Sequence, residues 1–322
     1  MPVPITLMVD DSCPLVHVYA CHTRDLHGRE PRTQDGRPMP LWIGNDFLGR
    51  FCDVVERRGM AGKISIVPAP GGVGDVVRGI PGHDPALTRE WLATAQRRLG
   101  SRFDFSPEMV SHNFALDLAT GEWLSENERD WSQHQDREAL TAYVTHALRL
   151  LREAGVAANG VTSPWDFGSA VEPDYVAAIV AAQRVVYDRS FSWYFLRSLL
   201  DRADGRPWIA HQDAAATLVS VPATAADCFW QTIDTPRTDD DLISAVADEL
   251  LTADGRAGRI RELLDAGGWP ILLTHWQSLF SMGLETGLAA LDEVGRRVSE
   301  HLSGEVEWLS VMEVARGAAG AE

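Results

Sequence analysis

The stretch "ITLMVDDSCP", residues 5 to 14, runs an apolar segment straight into two adjacent carboxylates, Asp10 and Asp11. The apolar part reads as a buried first strand over residues 4 to 9. Two ionised carboxylates at its tip repel each other unless a cation, a proton or solvent separates them. The pair is open to three readings: a metal site, an acid/base pair, or a solvated turn.

Working outward, a polar stretch rich in turn formers and charge follows from His22 to Pro40, a long loop insertion at about residues 22–40. A helix over 45–58 comes next, with Asn45 as its cap, and then "KISIVPA" (63–69) as a second strand. A helix over 88–99 begins at Thr88, and "FDFSPEMVSHNFALD" (103–117) reads as a strand end and loop. From Asp136 to Ala154 apolar residues recur at helical spacing (Leu140, Tyr143, Val144, Ala147, Leu148, Leu151). "GVTSPWDFG" (160–168) reads as a short strand and loop, and "EPDYVAAIVAAQRVVYD" (172–188) as a helix with Pro173 near its start. Strand signals return at "RPWIAH", "ATLVSVPA", "WPILLTHW" and "EVEWLS", with helices near 239–252, 256–265 and 286–302. Alternating strands and helices predict an α/β fold with a largely parallel sheet. No repeat, low-complexity tract or linker divides the chain, so residues 1–322 read as one domain. The glycine-rich "PGGVGDVVRGIPG" (70–82) lacks the Gly-Lys-Ser/Thr ending of a phosphate loop.

Composition excludes several classes of function. A net charge of −17 argues against nucleic acid and anionic membrane surfaces as partners. No window reaches 18 uninterrupted apolar residues and no basic-then-apolar leader opens the chain, so a cytoplasmic protein is expected. Cys13, Cys21, Cys52 and Cys228 have no C-x-x-C spacing and read as reduced thiols. The 11 tryptophans are a weak pointer to a carbohydrate-like ligand, since their faces suit sugar rings as well as cores. A homo-oligomer is compatible with all of this.

Loops at the C-terminal ends of parallel strands build α/β active sites. The polar residues expected there are Asp10 and Asp11, then Ser111, His112, Asn113 and Asp117, then "TSPWDFG" with Trp165. His211 and Asp213 end a later strand, and His275 and Trp276 follow "PILLT". Asp and His collecting at one end of a sheet form a donor set that a divalent ion such as zinc accepts.

The order of these segments resembles the polysaccharide deacetylase-like (NodB-homology) superfamily, metal-dependent hydrolases built on a distorted (β/α) barrel. "LMVDD" resembles that family's opening Asp-Asp motif, and "PEMVSHNFALD" is similar to its His-[Ser/Thr]-x-x-His loop at His112. "TSPWDFG" bears a loose likeness to its third motif, and "LLTH" matches its Leu-x-His at Leu273 and His275. The resemblance implies Asp10 as catalytic base, His275 as general acid or as a group that supports the leaving atom, and Asp11 and His112 as ligands of a divalent metal ion, zinc by expectation. Two departures mark a divergent member: Leu116 stands where the second ligand histidine belongs, and the third motif's arginine is missing. Asp117 is the expected substitute ligand, with His22 and His17 as further candidates. Substrate contacts are expected from His22, Trp165, His211 and Trp276.

The implied reaction is metal-dependent hydrolysis of an amide or ester in a carbohydrate or related small molecule. Two alternatives stay open: a metal-independent carbohydrate-active barrel using Asp10, Asp11 and Asp213, and a non-catalytic carbohydrate-binding module.

Overall fold

The computed structural model describes residues 2–21, 32–33 and 35–321. The strands of its two main sheets are β1 (Val3–Ser12), β2 (Gly62–Ile66), β3 (Phe103–Pro107), β4 (Gly160–Thr162), β5 (Phe191–Phe195), β6 (Trp208–Gln212), β7 (Thr217–Ser220), β8 (Ile271–His275) and β9 (Val306–Trp308). One sheet has the order β8-β1-β2-β3, all parallel, with β9 pairing the start of β1. The second has the order β6-β7-β5-β4, parallel except for β6 at its edge. Isolated bridges join the sheets at both ends, Glu108 to Thr162 and Ala225 to Leu272. The strands thereby surround a common centre as a distorted (β/α) barrel.

Two apolar layers follow from the two-residue period of a strand. Along β1, Ile5, Leu7 and Val9 face outward into the core shared with the helices, while Met8 faces inward with Trp193, Phe195, Val219 and Ile271. The outer core is covered by α1 (Asn45–Arg58), α2 (Pro85–Leu99), α3 (Arg137–Glu153), α4 (Glu172–Tyr187), α5 (Asp240–Leu250) and α6 (Thr286–His301). The inner core is backed by α7 (Val311–Ala319), whose Val311, Met312, Val314 and Ala315 pack into it. Gly62 permits the close pairing of β1 and β2, since a Cβ there would meet Leu7 O at 1.8 Å.

Most helices lie where periodicity placed them, with local differences that have clear causes. Asp84, not Thr88, caps α2 by accepting the Ala86 N–H, and Thr88 is buried inside the helix. Gly44 occupies the N-cap of α1, and Asn45 donates instead to Leu87 O, tying α1 to the start of α2. Strand β5 has no counterpart in the sequence reading. Ser192, Trp193, Tyr194 and Phe195 are all buried, so "FSWYF" shows no polar–apolar alternation to mark it. Of the insertion at 22–40, residues 22–31 and 34 lie outside the described residues, and with them His22. Among the described residues, no helix is long and apolar enough to cross a membrane. All four cysteines are buried, and none is joined to another by a disulfide.

Candidate functional site

Adjacent residues in a regular strand point to opposite faces, so Asp10 and Asp11 should diverge. They do not, because β1 carries a register shift between Val9 and Ser12 and Asp11 adopts φ 60°. A bulge of this kind re-aims a side chain. Both carboxylates consequently line one cavity of about 800 Å³ at the C-terminal ends of the parallel strands. Glu108, His112, Trp165, Trp230, His275 and Gln277 line it with them.

Three donors converge at its floor. Asp11, Glu108 and His112 are all buried, and one ligand atom from each lies within 4.8 Å of the others. His112 Nε2 is 2.8 Å from Asp11 Oδ1 and 3.5 Å from Glu108 Oε1. The other Asp11 oxygen, Oδ2, accepts from Gln277 Nε2. Glu108 is held in place through Oε2, which accepts the Asp11 N–H at 2.7 Å and the Ser65 hydroxyl at 2.6 Å. A buried carboxylate oxygen 2.8 Å from an imidazole nitrogen, with a second carboxylate oxygen 3.5 Å from the same nitrogen, is the donor chemistry that fits a divalent cation. Burial opposes the ionisation of Asp11, yet the charge and hydrogen bonding of His112, with help from His275 and Gln277, hold its carboxyl well below the usual range.

The loop carrying His112 is fixed from behind. Glu128, fully buried, accepts the backbone N–H groups of Val110, Ser111 and His112 at 3.0, 2.9 and 2.7 Å and the Tyr143 hydroxyl at 2.6 Å. Those bonds hold His112 at φ 57°, a conformation rarely adopted by residues other than glycine. Burial pushes the Glu128 carboxyl up to about 7 against these donors.

Asp10 occupies a different environment. Its Oδ1 pairs with the buried Lys63 ammonium, which also donates to Thr162 Oγ1 at 3.0 Å, and accepts the Ser65 hydroxyl at 3.2 Å. Burial raises the Asp10 carboxyl to about 6, with Lys63 working against the shift and Glu108 reinforcing it.

His275 lies beside Asp10 in the register of β1 and β8. Its Nδ1 is 2.8 Å from Asp227 Oδ2, which also accepts the His275 N–H at 3.1 Å and the Ser278 hydroxyl at 2.8 Å. Burial disfavours the imidazolium, but the Asp227 hydrogen bond and the charges of Asp11 and Asp10 push His275 up to about 9. The bond at Nδ1 orients the ring and leaves Nε2 for another partner.

The structure thus brings Asp10, Asp11, His112, Trp165 and His275 to one cavity. Trp165 is 46% exposed and stands edge-on to His112, with ring centroids 4.6 Å apart. Three other expected residues lie elsewhere. Asp117 sits on the hairpin between Phe114–Leu116 and Trp123–Asn127 and accepts the Ala119 N–H of its own turn; Glu108, not Asp117, lies with Asp11 and His112. His211 lies on β6, which runs antiparallel to β7 and pairs Gln212 with Thr217 at the start of that strand, so it ends at the opposite side of the sheet. Trp276 is buried against Phe47, Phe51 and Trp91 and is part of the core. His17 is also buried, accepting the Ala20 N–H and packing edge-on to Phe280.

Glu108, Lys63 and Asp227 were missed in the sequence. The first two had a signal: "GKISI" alternates Lys63 and Ser65 with Ile64 and Ile66, and Ser106 on β3 and Glu108 just after it continue that inward polar face. Asp227, in a loop distant in sequence from His275, had none.

No protein-family profile matches the sequence, and no curated protein gave a significant match. Solved structures do resemble it. A proposed polysaccharide deacetylase from Mycobacterium smegmatis aligns with a TM-score of 0.54 at 13% identity, covering 98% of this chain and 90% of that one. The Bc1960 peptidoglycan N-acetylglucosamine deacetylase aligns at 0.47 and 8% identity, over 98% and 89% of the two chains. A 4-alpha-glucanotransferase from Thermococcus litoralis aligns at 0.47 and 10% identity, over 98% and 40%. The chain therefore shares its distorted (β/α)-barrel fold with the first of these structures.

Proposed function

We propose that the protein is a metal-dependent hydrolase of the deacetylase type, cleaving an amide or ester of a carbohydrate or related small molecule. The observation that carries this reading is the convergence of Asp11, Glu108 and His112 beside Asp10 and His275 in one cavity. Asp11, Glu108 and His112 would hold a divalent ion, which would supply Lewis-acid polarisation of the carbonyl oxygen and a lowered pKa for water.

The remaining steps belong to the chain. Asp10 takes the proton of the attacking water; with a carboxyl near 6 it is mostly ionised at neutral pH and still basic enough to accept it. Lys63 and Ser65 fix its Oδ1, leaving Oδ2 for this task. His275, with a value near 9, is protonated at neutral pH and delivers a proton from Nε2 to the departing nitrogen or oxygen. Asp227 keeps the ring in that orientation. Trp165 and Trp230 offer aromatic faces on the cavity wall, suited to a sugar ring. The metal-independent alternative needs Asp213 beside Asp10, but Asp213 follows β6 at the other end of the sheet.

The test is release of acetate from N- and O-acetylated oligosaccharides and from a chromogenic acetate ester, with chelated and metal-reloaded protein. Metal-restored turnover that Asp10→Asn abolishes supports the reading. Turnover indifferent to chelation, or absent from every acetylated substrate with metal bound, contradicts it.

A further inference from the structure

The donors at the cavity floor are two carboxylates and one imidazole, and among the described residues neither a thiol nor a second imidazole joins them. Resting on the metal-site reading above, we infer that Glu108 tunes this site toward manganese(II), narrowing the advantage that zinc holds at imidazole-rich sites. Carboxylate oxygens suit harder ions such as manganese and magnesium, whereas imidazole suits zinc, nickel and copper. Zinc still binds more tightly in absolute terms, as the general order of divalent affinities requires, so the quantity that Glu108 sets is the ratio of the two.

Glu108 is built into the site rather than drifting near it. Its residue is 2% exposed, and its Oε2 is held by the Asp11 N–H and the Ser65 hydroxyl. Those two bonds come from the neighbouring strands β1 and β2 and leave Oε1 on the side of His112, 3.5 Å from Nε2. The backbone N–H that anchors Glu108 belongs to Asp11, itself one of the donors. The bulge that turns Asp11 inward therefore also seats the second carboxylate, and the two acids enter the site as a unit.

The test uses the full chain stripped of metal and titrated with zinc and with manganese against a fluorescent chelator, for wild type, Glu108→His and Glu108→Gln. Glu108→His is expected to raise the ratio of zinc to manganese affinity by about tenfold or more. Glu108→Gln keeps the shape and an acceptor for Asp11 N–H and Ser65 while removing the charge, and should weaken manganese about tenfold more than zinc. If Glu108→His does not fold, as judged by circular dichroism, Glu108→Gln alone decides. Metal binding with a ratio that the folded variants leave unchanged overturns the inference and keeps the metal site. A wild type that binds neither ion overturns both.

Discussion

His112 and His275 stand over the same cavity, each beside a buried acid at 2.8 Å, yet they are arranged for different work. His112 faces two carboxylates with the same nitrogen, Nε2, and its loop is pinned by three backbone N–H groups donating to Glu128. Its donors point inward at one another, the arrangement of a cation site. His275 is gripped through Nδ1 by Asp227 alone, and its side chain remains 26% exposed. One nitrogen is bound and the other is free to exchange a proton. Identity of residue type is thus a poor guide to role: the number of acids around a ring and which nitrogen they take decide it. Asp10 lies between the two assemblies, beside Asp11 in sequence and His275 in register, with Lys63 as its own counter-ion.

The largest expected effect comes from cutting that middle element. Lys63→Met leaves Asp10 buried without its cation, and breaking one half of a buried pair costs about 3–5 kcal/mol. Urea unfolding should show this loss at pH 8 and a smaller one at pH 5, where Asp10 can be neutral. An equal loss at both pH values would mean that lost packing, not charge, dominates.

Next comes the His112 assembly. Asp11→Ala removes one of three donors and should weaken metal binding by about 100-fold, some 2.7 kcal/mol, measured by calorimetric titration. An affinity within a few-fold of wild type would separate Asp11 from the cation site and leave the two histidine assemblies alike.

The His275 assembly should respond to pH instead. Its value of about 9 lies above the ordinary 6.5, so the contribution is fully present below pH 6.5 and is lost as pH rises through about 9. In metal-free protein, Asp227→Asn should remove about 2 kcal/mol of stability at pH 6 and much less at pH 10, seen by denaturation at both values. It should also lower the pH at which the His275 ring titrates by nuclear magnetic resonance. The smallest effect is expected at Asp117, where Asn should leave metal affinity within about twofold, because the side chain serves only its hairpin turn.

What could be read from the sequence divides along the same line. The α/β alternation and most helices follow from periodicity, a local property, whereas the caps expected at Asn45 and Thr88 lie at Gly44 and Asp84 instead. That Asp10, Asp11, His112 and His275 meet at one cavity was legible, because each follows a strand-like run and parallel strands bring their C-terminal ends together. Asp117 misled because it lies near His112 in sequence, while the hairpin that begins at Phe114 carries it away. His211 misled because a strand's C-terminal end marks the site only when the strand is parallel to its neighbours, and the direction of β6 is a tertiary property. Trp276 follows His275 directly, but the helix that starts there turns its ring into the core. Asp227 was silent because its role exists only through a contact across 48 positions of sequence.

The most direct test is anomalous diffraction from crystals of the full chain soaked in manganese or zinc. A single strong peak is expected among the carboxylates of Asp11 and Glu108 and His112 Nε2, at about 2.0–2.2 Å from each for zinc, with Asp117 distant from it. A peak elsewhere, or none in protein whose three donors remain in place, would contradict the assignment of this cavity as a metal centre.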